Sequence, residues 1–236
     1  MGAIFKKEFK SFFTSPVGYF VLALILALSG YFFTGYNLVG GSSELSGVYG
    51  SVFSLVLVLV LPILTMRLFS DEKRQRTDQA LLTSPVSLTS ITLGKFFAAL
   101  LMFAIGMSIT LVFSLIIAFQ VTPDWMVIIG NYLGMMLMGG MVIAIGLLIS
   151  CLTESQIIAA LGTAATAFVL TMLDSLAYMF SSNKVLTSVI DFLSVTGRYN
   201  DFTTGIINYD NIIFFLSFQA LFLFLTVRVL DHKRWS

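Results

Sequence analysis

The sequence predicts an all-α polytopic membrane protein with six transmembrane helices, and three observations lead there. Of the 236 residues 58% are hydrophobic and only 11% charged, with a mean hydropathy of +0.97, too little charge to coat a soluble globule. The apolar residues fall in runs of about twenty, enough helix to cross roughly 30 Å of hydrocarbon. The runs are continuous rather than alternating, which excludes a transmembrane barrel.

Residues 1–16 precede the first run. On a helical wheel Ile4, Phe5, Phe9, Phe12 and Phe13 share one half, while Lys6, Lys7 and Lys10 share the other. That distribution predicts a helix lying in the membrane plane, aromatics in the acyl boundary and lysines toward anionic headgroups. Glu8 breaks the apolar face and is expected to pair with a basic neighbour. Ser15-Pro16 ends the helix and turns the chain inward. The first span is placed at 17–36; Ala27-Leu28-Ser29 resembles a cleavage site, but the apolar run continues past it, so the segment reads as a retained anchor. The second span is 48–66 and contains Pro62, the one proline inside a span.

The stretch 67–93 carries mixed charge and no glycine. Its first part favours a short helix that Ser84-Pro85 stops, and Ser87 or Thr89 suits the N-cap of the helix that becomes the third span, 94–119. The fourth and fifth spans, 125–151 and 156–178, are joined by the tight turn Leu152-Thr153-Glu154-Ser155. Both are rich in small residues: Gly130 and Gly134, Gly140 and Ala144, Gly146 and Ser150, then Gly162, Ala164 and Ala165. This spacing marks close packing faces. Met135, Met136, Met138 and Met141 read as compliant packing. In the segment 179–210, Leu186, Val189, Ile190 and Leu193 follow helical spacing, and an apolar patch runs from Phe202 to Ile207. Partial helices dipping into the outer leaflet are expected there. The sixth span is 212–229.

Eleven of the thirteen Lys and Arg residues fall on one side of this topology, leaving Lys184 and Arg198 on the other. By the positive-inside bias both termini are cytoplasmic. Catalysis finds little support. There is one cysteine, Cys151, and one histidine, His232, so neither a thiolate nor a multi-histidine zinc site is available. The single intramembrane acid, Asp174, is a possible polar site, but an aspartyl protease needs two acids. A serine hydrolase lacks its base, and a coupled carrier would show several ionisable groups and broken helices at the midplane. No P-loop run occurs. The chain reads as a non-catalytic channel or scaffold driven by something else, binding no cofactor or metal of its own and no nucleic acid.

Four segments carry a resemblance to a known family. They are Phe12-Phe13-Thr14-Ser15-Pro16 with Gly18-Tyr19-Phe20; Asp71-Glu72-Lys73-Arg74 with Thr77, Leu81 to Ser87 and Leu93-Gly94-Lys95; Leu152 to Gln156; and Phe202 to Ile207 with Asp210. In this order the chain resembles the ABC-2 type transporter permeases, closest to the gliding-motility-type subgroup. The resemblance implies an in-plane elbow helix at 1–16, a coupling helix at 70–82 seated on a separate ATPase, and re-entrant helices in 179–210. It implies coupling contacts from Asp71, Glu72, Lys73, Arg74, Arg76, Thr77, Leu81 and Leu82, with Glu154 as a second contact. Where relatives often have glycine before the threonine, this chain has Arg76 before Thr77, which predicts a local change of helix curvature.

The implied partners are two ABC ATPase subunits holding ATP and Mg, a second identical or different permease chain paired through spans one and five, and an auxiliary subunit with a large external domain. The implied setting is the bacterial inner membrane. The implied work is export of a lipidic, amphiphilic or peptide-like cargo, or mechanical work on the envelope. The alternative is an ATPase-independent channel or membrane anchor of an envelope assembly.

Overall fold

The computed structural model describes residues 1–42, 44–79, 86–119, 122–179 and 194–235, without the side chains of 174–179 and 235. All regular structure among them is helical, and six helices are long and apolar enough to cross a membrane. The first, α1 (Gly2–Thr14), stops at Ser15, whose extended backbone is what the following proline requires. Pro16 then opens α2 (Pro16–Phe33) from its first position, where the missing N–H costs nothing. The turn is tight: a Cβ on Gly18 would run into the backbone carbonyl of Phe12.

The second span is composite. α3 (Ser46–Leu55) widens into a π-helical turn, Val56–Val60, before α4 (Leu61–Thr65). Pro62 sits just beyond, and its ring would collide with the carbonyl four residues back, at Val58, in a regular α-helix. The widened turn holds Val58 and removes that conflict. A short turn leads to α5 (Ser70–Arg74). The single helix expected over 70–82 is not continuous. Gln75 and Arg76 form a turn in which Arg76 takes φ 55°, the only left-handed non-glycine among the described residues. Helix resumes at Asp78 and Gln79, and Leu81 and Leu82 lie outside the described residues. The irregularity expected at Arg76 is thus a break rather than a bend.

The third span begins earlier than its apolar run. α6 (Leu88–Ala118) starts where the Ser87 hydroxyl accepts the N–H of Ser90 at 3.3 Å, so the cap and not the hydropathy sets the boundary. α7 (Trp125–Leu152) is capped by Asp124, and α8 (Gln156–Met179) follows the tight turn. α9 (Val195–Thr203) and α10 (Tyr209–Trp235) complete the chain. The amphipathic helix expected around Leu186 to Leu193 lies outside the described residues. α9 ends in a turn where Gly205 takes φ 77°.

α7 is the axis of the bundle: 72% of its apolar window is buried, against 17% for α8 and 22% for α10. Its glycines explain the enclosure. Gly139 lies under the Phe103 ring, Gly134 under Phe202 and Tyr199, Gly140 against Gln219, and Gly146 against Thr65 and Thr163. The small-residue faces of α7 read from sequence are therefore consumed inside one chain, whereas Ala165 of α8 stays exposed. Three large polar side chains in the spans are consumed likewise: Gln219 donates to the Leu137 carbonyl at 2.8 Å, Asn131 to Val127 at 2.8 Å, and the Tyr49 hydroxyl to Thr110 at 2.9 Å. Because the Gly18 clash is with backbone, which yields little, Gly18→Ala is expected to destabilise by roughly 1–3 kcal/mol. A lower thermal midpoint in mild detergent than for Gly30→Ala, which meets nothing, checks it.

Candidate functional site

Both ends of the chain and the α5 turn converge at one end of the bundle. At the centre is Lys95, two turns into α6 and 1% exposed. Its ammonium lies 2.9 Å from Glu8 Oε1 and 3.0 Å from Glu72 Oε1 and donates to the Leu68 carbonyl at 2.7 Å. Two hydrogen bonds and the Glu72 carboxylate surround the ammonium with oxygen on three sides. The Phe69 ring stands 5.0 Å from it. Lys7 closes the cluster, 3.2 Å from Glu72 and 3.6 Å from Glu8. Two cations and two anions make it neutral, and it joins α1, α5 and α6.

Partial burial works against the Lys7 ammonium, but Glu72 and Glu8 outweigh it and hold its pKa above the ordinary 10.5. Lys7 therefore contributes fully below that value, and its share fades only as pH rises through the shifted pKa. α1 approaches α6 closely enough for this because position 94 is glycine: a Cβ there would stand 3.0 Å from Ile4 and 3.3 Å from the Phe5 nitrogen.

A second set of bonds runs through Asp71. Its Oδ1 accepts from Gln156 Nε2 at 2.8 Å, at the start of α8, and Arg67 lies 3.6 Å from its Oδ2. Arg67 also donates to the Ser15 hydroxyl at 2.9 Å, in the turn between α1 and α2. The third tie is Ser150 near the end of α7, whose hydroxyl accepts the N–H groups of Phe69 and Ser70, both at 3.0 Å, and donates to the Met66 carbonyl at 3.1 Å. Lys233 of α10 donates to the Cys151 carbonyl at 2.7 Å and lies beside Lys73. The single turn of α5 thereby touches α1, α6, α7 and α8 and lies beside α10. A cavity of about 370 Å³ opens beside it, lined by charged groups of both sets.

The expected coupling residues separate by direction. Glu72 and Asp71 face inward and hold the bundle together. Arg76 faces solvent, and Arg74 is exposed at its end while lying 3.7 Å from Asp71 Oδ1. The Thr77 N–H donates to the Glu72 carbonyl at 2.9 Å and closes the turn. Glu154 is exposed in the α7–α8 turn, within electrostatic reach of Lys73. Asp174 lies on α8 toward the other end, its side chain outside the description. Sequence reasoning missed Lys95 and Ser150. The odd acid on the aromatic face of α1 was the one signal for Lys95; nothing marked Ser150 beyond its small size.

A family model described as ABC-2 family transporter protein matches residues 6–180, from α1 through α8. No curated protein matches the chain.

Lys95→Met strands two carboxylates against one lysine and is expected to cost about 3–5 kcal/mol. Adding Glu72→Gln restores charge balance and should recover a large part of that loss, read as thermal midpoints of the single and double variants. A left-handed backbone costs an ordinary residue about 1–2 kcal/mol, so Arg76→Gly should leave stability equal or higher. Arg76→Val, with its branched Cβ, should lower it.

Proposed function

We propose, since the chain belongs to the ABC-2 transporter family, that it is the membrane permease of an ATP-driven transporter and that the α5 turn with the residues after it receives the stroke of a separate ATPase. The observation carrying this is the convergence on α5: a push there reaches α1 and α6 through Glu72, Glu8 and Lys95. It reaches α8 through Asp71 and Gln156, and α7 through Ser150. A residue pair that holds the turn cannot also be the sacrificial docking surface. The groups offered to the ATPase are therefore the exposed Arg74 and Arg76, with Glu154 and the Lys73–Lys233 neighbourhood beside them.

In this reading two ATPase subunits, holding ATP and Mg, engage two permease chains paired through the first and fifth spans. Both spans carry open apolar faces, with Tyr19, Phe20, Leu26 and Tyr31 on α2 and Ile157, Ile158, Leu161 and Phe168 on α8. The termini are cytoplasmic at the inner membrane, and an auxiliary subunit of gliding-motility type covers the other side. Within the described spans most buried polar groups, Ser29 excepted, are spent on backbone and on each other, which supports a lipidic or amphiphilic cargo, or mechanical work on the envelope, over an ion.

Arg74→Gln and Arg76→Glu in one chain should abolish permease-stimulated ATP hydrolysis by the copurified ATPase while costing no more than about 1 kcal/mol of stability, the scale of an exposed ion pair. Unchanged stimulation in that variant points instead to a channel or anchor with no ATPase stroke.

A further inference from the structure

The end of the bundle opposite the charged cluster contains a cavity of about 450 Å³, within the size range of small-molecule sites. Four separate pieces of chain build it: the connection into α3, the end of α6, the entry into α7 and the end of α9. Leu45, Ile117, Val127 and Ile128 give it an apolar wall. Tyr49 adds carbon rather than a hydroxyl, because its O–H is already donated to Thr110 at 2.9 Å.

Among the described residues the charged side chains lining it are two carboxylates, Glu44 and Asp124. Each is half committed. Asp124 accepts the Met126 N–H at 3.0 Å through Oδ1, and Glu44 accepts the Ser46 hydroxyl at 3.3 Å through Oε2. The other oxygen of each makes no hydrogen bond among the described residues.

We propose that this cavity binds a monovalent organic cation on an apolar stem, an alkylammonium, with the head between Glu44 and Asp124 and the stem along Leu45, Ile117 and Ile128. An anion would meet two carboxylates and, among the described lining residues, no base to offset them. A wholly apolar ligand would cover those carboxylates and leave them without the water they now have, at a loss. A cation with a hydrocarbon stem satisfies both halves of the wall. The site does not depend on any ATPase and would stand if the coupling assignment fell.

Trp125 follows the lining residue Asp124 in sequence and is one of two tryptophans in the chain, so Trp235→Phe leaves a single reporter next to the cavity's rim. The test uses the full chain in maltoside micelles, titrated with hexyltrimethylammonium and, in parallel, with neutral hexyl glucoside and anionic hexyl sulfate. The expected result is a saturable change in Trp125 emission with the cation alone, and a rise in thermal midpoint with it. Glu44→Gln with Asp124→Asn, which keeps the helix cap, should weaken that affinity about tenfold or more. Lengthening the stem by one methylene should tighten it roughly threefold.

A response shared by the neutral and anionic analogues, or one unchanged in the Gln/Asn variant, would overturn the proposal. Competition by added phosphatidylethanolamine would identify the natural ligand as a lipid headgroup. Its failure to compete would identify a free amphiphile. Both results support the site.

Discussion

A lysine ammonium removed from water at Lys95 is the constraint on which the rest of the arrangement rests. Such a charge is expensive to bury and is tolerated only when it is paired and hydrogen-bonded. Here the three surrounding oxygens come from three places in the chain: Glu8 in α1, the Leu68 carbonyl at the end of the second span, and Glu72 in α5. No one of those elements can shift without exposing the charge to an incomplete shell. The gain is positional more than energetic. A buried ion cluster contributes little net stability compared with well-packed apolar residues, but it admits very few geometries. The backbone is cut to fit it, through glycine at 94 and at 18.

That fixed geometry gives the molecule a rigid end. The α5 turn is held by Lys95 on one side, by Asp71 and Gln156 on another, and by Ser150 from above, so a displacement of the turn is shared among the spans. Away from that end the packing is unequal. α7 is enclosed because its glycines let neighbours in, whereas α2, α8 and α10 keep broad apolar faces toward lipid or a second chain. A π-helical turn just before Pro62 marks the place where the second span departs from a straight rod. The rigid end and the uneven bundle suit a device that is pushed at one point and rearranges elsewhere.

Much of this was legible in the sequence. The number of spans followed from run length alone, and the turn at Ser15-Pro16 from what proline does to its neighbour. The helix start at Ser87 was readable as a cap, though the apolar run placed the span itself later. What escaped was every feature made by contact between distant segments. Lys95 looks like one more cytoplasmic base, because nothing local shows that Glu8, 87 positions away, will reach it. Ser150 reads as a small packing residue until the chain of Met66 to Ser70 is folded against it. Glu72 was expected to face a partner and faces the core, since the sign of a charge says nothing about its direction. The break at Arg76 was foreseen only as curvature, because a left-handed residue without glycine follows from the surrounding turn and not from the residue itself.

The most direct measurement is photocrosslinking from a benzophenone amino acid placed at Arg74 or Asp78 in the full chain in native membranes, with the product identified by mass spectrometry. A crosslink to an ATPase carrying Walker motifs is expected from both positions, and none from a probe at Leu115 on the exposed apolar face of α6. Crosslinks from Arg74 and Asp78 that reach only non-ATPase envelope proteins would contradict it.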